Sequence, residues 1–239
     1  MTNREVIQGF RSFAADKSGR ISEDNSWSTR LVLFYLKIYR SKLIYEKRIG
    51  EGFINQFNVQ TIPCIEMVRL DIQECPCAPL TGTYFAKSLH PVPRPIGGKF
   101  IVVNSTTGSE KYDYTRWESF KDIVNSRIPA ERYKPYYTLK NINSPDKVHL
   151  YVLQKENLKL GSISAVFEDP LEVASFPLCG QQPKIICNPL EEDFVIDREL
   201  LPVLYELTFQ KLINIRQSTT SDIITNNIDD TSIQQNEIK

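Results

Sequence analysis

The sequence predicts an α+β chain: N- and C-terminal helices packed as one module, a central β-rich region hung from it, and an extended C-terminal arm. Three observations predict this. Apolar residues recur at helical spacing near both ends of the chain, prolines and β-branched residues concentrate between them, and no aromatic residue occurs after Arg216. The reading divides the chain into an N-terminal helical part (1–59), a β-rich region (60–178), a second helical part packing on the first (179–217) and a polar arm (218–239).

Thr2 and Glu5 have capping-box spacing, and Val6, Ile7, Phe10, Phe13 and Ala14 follow on one helical face. That first helix should close near Lys17-Ser18-Gly19, where glycine accepts the left-handed conformation. The longest periodic segment runs from about Asn25 to Ile49, without Pro or Gly, and stops at Gly50. Trp27, Leu31, Phe34, Tyr35, Ile38 and Ile44 mark its apolar stripe. Its charge is lopsided, with Arg30, Lys37, Arg40, Lys42, Lys47 and Arg48 against Glu46. A solvated face whose cations suit the negative helix C-terminus accounts for this pattern. The competing reading is a local patch for an acidic partner or passing nucleic acid.

In the β-rich region, Lys99–Val103 and Glu110–Tyr114 flank the turn-like segment Ser105–Ser109 and read as a hairpin. Thr115 and Glu118 repeat the capping-box spacing before Trp117, Phe120, Ile123 and Val124, a short helix that must end before Pro129. Tyr136–Asn141 and Lys147–Leu153 bracket the turn residues Asn143-Ser144-Pro145-Asp146, and Leu158–Phe167 is a further strand. Asp169-Pro170-Leu171-Glu172 opens a short helical turn, with proline at the permitted first position. The last helix should begin near Asp197 on the apolar stripe Leu200, Leu204, Leu207, Leu212 and Ile215, with Pro202 in its first turn.

Composition excludes several functions. With 29 basic and 29 acidic side chains and a pI of about 6.7, the chain lacks the basic surplus of a general polyanion binder. The apolar run Leu31–Leu36 is far too short for a membrane helix, and the first residues have no apolar export core. Five cysteines suit a reducing cytoplasm better than a disulfide framework, and a chain of 239 residues buries enough surface not to require one.

Site chemistry is sparse. Gly97-Gly98-Lys99 precedes a strand instead of opening a helix, so no phosphate cradle is expected, and neither a Gly-x-Ser-x-Gly elbow nor a His-Glu-x-x-His helix occurs. Cys64, Cys75, Cys77 and His90 could in principle close a tetrahedral zinc site. Cys75-Pro76-Cys77 lacks the knuckle gap, however, and Cys179 and Cys187 are too far apart to form a standard second pair. The preferred reading is buried, structural cysteine. His149, alternating within a strand, reads as a satisfied structural histidine, and Pro91-Val92-Pro93-Arg94-Pro95 as a rigid surface connector. No catalytic residue, cofactor or metal ligand is therefore expected.

Several stretches carry a resemblance: Trp27–Tyr35, Ile62-Pro63-Cys64-Ile65-Glu66-Met67, Glu74-Cys75-Pro76-Cys77, the proline-rich lead into Lys99–Val103, and Asp222-Ile223-Ile224-Thr225-Asn226-Asn227. Together they resemble structural proteins of crAss-like tailed bacteriophages, in particular the ring or head-to-tail connector proteins between portal and tail of short-tailed virions. The resemblance implies a non-enzymatic virion protein, made in the host cytoplasm, that forms dodecameric rings around a DNA channel and clasps its neighbours with β-regions and terminal arms. Its implied partners are copies of itself, the portal and other connector or tail proteins, and DNA sliding through without sequence-specific binding; no membrane is implied. The alternatives are a zinc-stabilised nucleic-acid-binding module and a cysteine-dependent enzyme. The basic early helix, set against the acidic run Glu191-Glu192-Asp193 and a tail beyond Arg216 with four acids and one Lys, further suggests head-to-tail charge complementarity between copies, with Arg40 and Lys47 as contributors.

Overall fold

A computed structural model describes residues 1–18, 27–52, 54–70, 85–106, 108, 110–124, 134–141, 147–153 and 159–234. Helix α1 (Asn3–Ser18) opens with the expected reciprocal cap: the Thr2 amide donates to Glu5 Oε2 at 2.8 Å and the Glu5 amide to Thr2 Oγ1 at 3.3 Å. In α2 (Thr29–Glu51) the Ser28 hydroxyl accepts from the Leu31 amide. Gly52, at φ 67°, closes this helix by donating to the Arg48 carbonyl, so the stop falls two residues beyond Gly50.

The inward face of α2 differs from the expected stripe. Val32, Leu36, Arg40 and Ile44 are buried, whereas Phe34 and Ile38 are 55% and 44% exposed. Apolar residues stand on most sides of this helix, so period alone does not choose the arc that meets the core. The choice is made by the last helix, α5 (Leu201–Gln234), which packs along α2 and buries Leu204, Thr208, Phe209 and Leu212. Together α1, α2 and the first half of α5 enclose Val6, Phe10, Val32, Leu36, Phe194, Leu204 and Phe209.

The remaining core lies within one curled sheet of eight strands: β1 (Gln60–Ile62), β2 (Ile65–Arg69), β3 (Phe85–Ser88), β4 (Val102–Ser105), β5 (Asp113–Tyr114), β6 (Tyr136–Asn141), β7 (Val148–Leu153) and β8 (Lys159–Ala165). The strand order is β1-β8-β2-β3-β7-β6-β5, with β4 also on β8. β1 and β2 run in sequence along β8, from Gln60↔Ala165 to Glu66↔Lys159, and the break between them falls at Pro63, which has no N–H to contribute. β6 and β7 form the antiparallel pair expected around the Asn143–Asp146 turn, which itself lies outside the described residues. Gly19 and Pro129 also lie outside them. Ile62, Met67, Phe100, Leu150, Leu160, Ile163 and Phe167 fill the sheet core.

Three expectations in this region change. β4 starts three residues after Lys99 and pairs chiefly with β8. Only the tip of the expected hairpin remains, in Ser105 N–H to the Glu110 carbonyl and Tyr112 N–H to the Val103 carbonyl, each 2.8 Å, while β5 joins β6 in parallel. Helix α3 (Ser119–Val124) begins after Thr115, because the Thr115 amide is held by the Tyr137 carbonyl at 2.9 Å. The Pro91–Pro95 segment is not a surface connector. Val92, Pro93, Pro95 and Ile96 are buried, and the Val92 and Ile96 amides each donate at 2.8 Å to Val148 and Val166. Helix α4 (Pro170–Ser175) follows expectation, with Asp169 capping the Leu171 amide. At the chain end the helical backbone of α5 continues through the polar segment to Gln234, about 50 Å from its start, so the C-terminal arm begins as a continuation of this helix.

Gly161 of β8 lies where β4 crosses at a register shift, and a Cβ there would overlap the Ser105 carbonyl. Gly161→Val should therefore cost about 1–3 kcal/mol through forced backbone displacement, read as a fall in Tm.

Candidate functional site: a guanidinium clasp and an unpartnered helix face

The basic residues of α2 were expected in solvent, yet several are used inside the chain. Arg40 is fully buried. Its Nη1 donates to the Phe167 carbonyl at 2.8 Å, and its Nε donates to the Val195 carbonyl. Arg40 thereby joins α2 to the end of β8 and to the approach to α5. Burial lowers its pKa to about 10, partly offset by Asp169, so the side chain is charged at neutral pH. Beside it Lys37 Nζ meets Asp169 Oδ2 at 2.8 Å, Ser41 Oγ donates to the Glu168 carbonyl at 3.1 Å, and Arg48 Nη1 donates to the Ile96 carbonyl at 2.9 Å. Lys47 lies 4.0 Å from Glu199. Burial raises the Glu172 carboxyl above the ordinary range, with Asp169 and Glu168 adding to the effect.

A second clasp lies nearby. Asp197 accepts from the Asn55 side-chain amide and from the Glu199 amide, while its own amide donates to Asn58 Oδ1 at 2.8 Å. These bonds tie the 3₁₀ turn Gln56–Asn58, just after α2, to the start of the last helical segment. The head-to-tail proposal built on Arg40 is thereby corrected. Its charge is sequestered in the fold and is not available to a neighbour. Acidic Glu191 and Glu192 are likewise engaged within the chain, by Arg4 and Lys184.

The cysteine expectation is also corrected. Cys64, in the β1–β2 break, is bonded to Cys179, which follows α4, across 115 residues of sequence. Both are partly exposed and so do not act as buried apolar side chains. The sheet order explains the pairing, since β1 lies on β8 and α4 packs back on β1, a proximity that sequence spacing cannot show. Cys64 thus has no thiolate for the set with Cys75, Cys77 and His90; Cys75 and Cys77 lie outside the described residues. Among the described residues no group of three or more His, Cys, Asp or Glu could hold a metal ion. Cys187 is exposed. His149 Nδ1 lies 3.0 Å from the Ser88 carbonyl, in keeping with a structural role.

A cavity of about 530 Å³ opens beside Met1, Phe57 and residues 193–198, but its acids are the N-terminal ammonium's partner Asp193 and the capping residue Asp197, with no nucleophile between them. The other surface feature is on α2. Phe34, Ile38 and Tyr45 are 55%, 44% and 45% exposed, and at 100° per residue they fall within about 40° of arc, opposite the buried Val32, Leu36 and Arg40. Sequence reasoning placed Phe34 and Ile38 in the core. Their separation from the Val32-Leu36-Arg40 arc was the only available signal. No described helix is long and apolar enough to cross a membrane.

Two outcomes follow. Arg40→Ala removes two charge-assisted hydrogen bonds and should cost about 3 kcal/mol or more, measured by urea unfolding, whereas substitution of the exposed Arg30 should cost under about 0.5 kcal/mol. Reduction of Cys64–Cys179 in otherwise native buffer should lower stability by up to about 5 kcal/mol on the loop-entropy account, and Cys64→Ala should reproduce the loss.

The comparisons with known proteins point to a structural role. Among curated proteins none matches. A family model described as phage tail ring protein 2 matches residues 14–231, a span that takes in the helical module, the sheet and most of α5. The chain therefore belongs to the phage tail ring protein 2 family, structural components of the phage tail.

Proposed function

We propose that this chain is a non-enzymatic subunit of an oligomeric ring in the head-to-tail connector of a short-tailed bacteriophage, surrounding the channel through which the genome passes. The observation that carries the reading is the family match over both cores, residues 14–231. A fold whose helices and sheet are clasped together by buried hydrogen bonds suits a load-bearing ring element. The neighbours are further copies of itself, the portal, and other connector or tail proteins. Near-zero net charge suits a conduit, because tight phosphate binding would retard DNA sliding. The Cys64–Cys179 bond also suits a particle that leaves the cell, since disulfides persist on virion surfaces.

Neither alternative has comparable support. A zinc module would need a thiolate that Cys64 does not have, and a cysteine-dependent enzyme would need a base beside its thiol. Among the described residues, the titratable cysteine with a described environment is Cys187, exposed in a loop.

Cryo-electron microscopy of the parent virion, with native mass spectrometry of the chain mixed with its neighbouring tail proteins, tests the reading. The expected result is a symmetric ring of this chain at the portal–tail junction. A clean monomer in the mixture and no ring density at that level would overturn it.

A further inference from the structure

A closed ring needs two different, complementary patches on each subunit, because a patch that matches only itself yields a dimer. On α2, the outward stripe Phe34, Ile38 and Tyr45 supplies one apolar patch. Arg30 is exposed along one margin of it and Lys42, 54% exposed with the exposed Glu46 at 3.8 Å, along the other. From Arg30 to Tyr45 the stripe is roughly 22 Å long.

The opposite feature is on the same chain. α2 and α5 run antiparallel, since Trp27 meets Phe209 at one end and Lys47 meets Glu199 at the other. The axis of α5 therefore carries on past the start of α2, for roughly 37 Å from Phe209 to Gln234. Residues 217–234 contain Ile223, Ile224, Ile228 and Ile233, the acids Asp222, Asp229 and Asp230, and neither Lys nor Arg. At about 26 Å this acidic, isoleucine-bearing helical segment matches the basic-rimmed stripe in length and is opposite to it in charge.

We infer that residues 217–234 of α5 in one copy lie along the Phe34–Ile38–Tyr45 stripe of α2 in the next copy. The contact is heterologous, so repetition closes a ring where the rotation per copy divides a full turn. This rests on the ring reading above and assigns its subunit interface. The stripe faces away from the subunit's own core, so substitutions on it leave the fold intact while removing the contact.

The test uses the full chain carrying Cys75→Ser, Cys77→Ser and Cys187→Ser, assembled with its neighbouring tail proteins and oxidised mildly. Ile38→Cys combined with Ile224→Cys should give a ladder of covalently linked copies on a non-reducing gel, and either substitution alone should not. Phe34→Ser with Ile38→Ser should lower ring yield about tenfold with an unchanged melting temperature. Arg30→Asp with Lys42→Asp should do the same, and Asp222→Lys with Asp229→Lys should restore assembly. Rings that form normally in the serine variant and give no ladder in the double-cysteine variant would overturn this interface while leaving the ring reading intact. Linked dimers from Ile38→Cys alone would overturn it in favour of a self-paired α2 face. Absence of rings from the unsubstituted chain would overturn both readings.

Discussion

A positive charge placed where water cannot reach must be answered by the protein itself, and in this fold the demand of Arg40 for acceptors determines how the helices meet the sheet. Two of its three nitrogens donate to carbonyls from distant parts of the chain, Nη1 to Phe167 after β8 and Nε to Val195 before the last helix, while the buried Nη2 has no hydrogen-bond partner among the described residues. Neither acceptor belongs to α2. The guanidinium therefore fixes three segments against one another, and Lys37, Ser41 and Arg48 extend the same seam with bonds to Asp169, Glu168 and Ile96. The helical core and the sheet core are thus held in one orientation. For a subunit that must present surfaces to neighbours at a set angle, orientation is the property that matters.

The sheet is organised around another single element. β8 carries β1 and β2 on one edge and β4 on the other, so three strands meet on it although it comes late in the chain. Its pairings with β1, β2 and β4 join segments far apart in the chain. Gly161 allows β4 to cross closely, and the Cys64–Cys179 bond anchors the β1–β2 break to the segment after α4. Both devices hold the region where local hydrogen bonding is interrupted.

Much of the element order was legible beforehand. The Thr2–Glu5 cap, the β6–β7 pair, the Asp169 cap of α4 and the start of the last helical segment at Asp197 all depend on residues within a few positions of each other, whose chemistry acts locally. What was not legible depends on distant partners. Thr115 did not cap a helix because its amide was already held by Tyr137, and the Pro91–Pro95 segment was buried because Val148 and Val166 offered acceptors to its neighbours.

The sequence by itself determined the α+β class and the locally capped elements, because propensity, capping and hydrophobic period are written in short windows, and its resemblance over several segments pointed to the family. Only the tertiary structure decided which face of α2 turns inward, that Arg40 is a buried clasp and not a surface cation, and that Cys64 meets Cys179. Those outcomes depend on which acceptors and apolar surfaces the completed fold brings within a few ångströms, and separation along the chain carries no record of that distance.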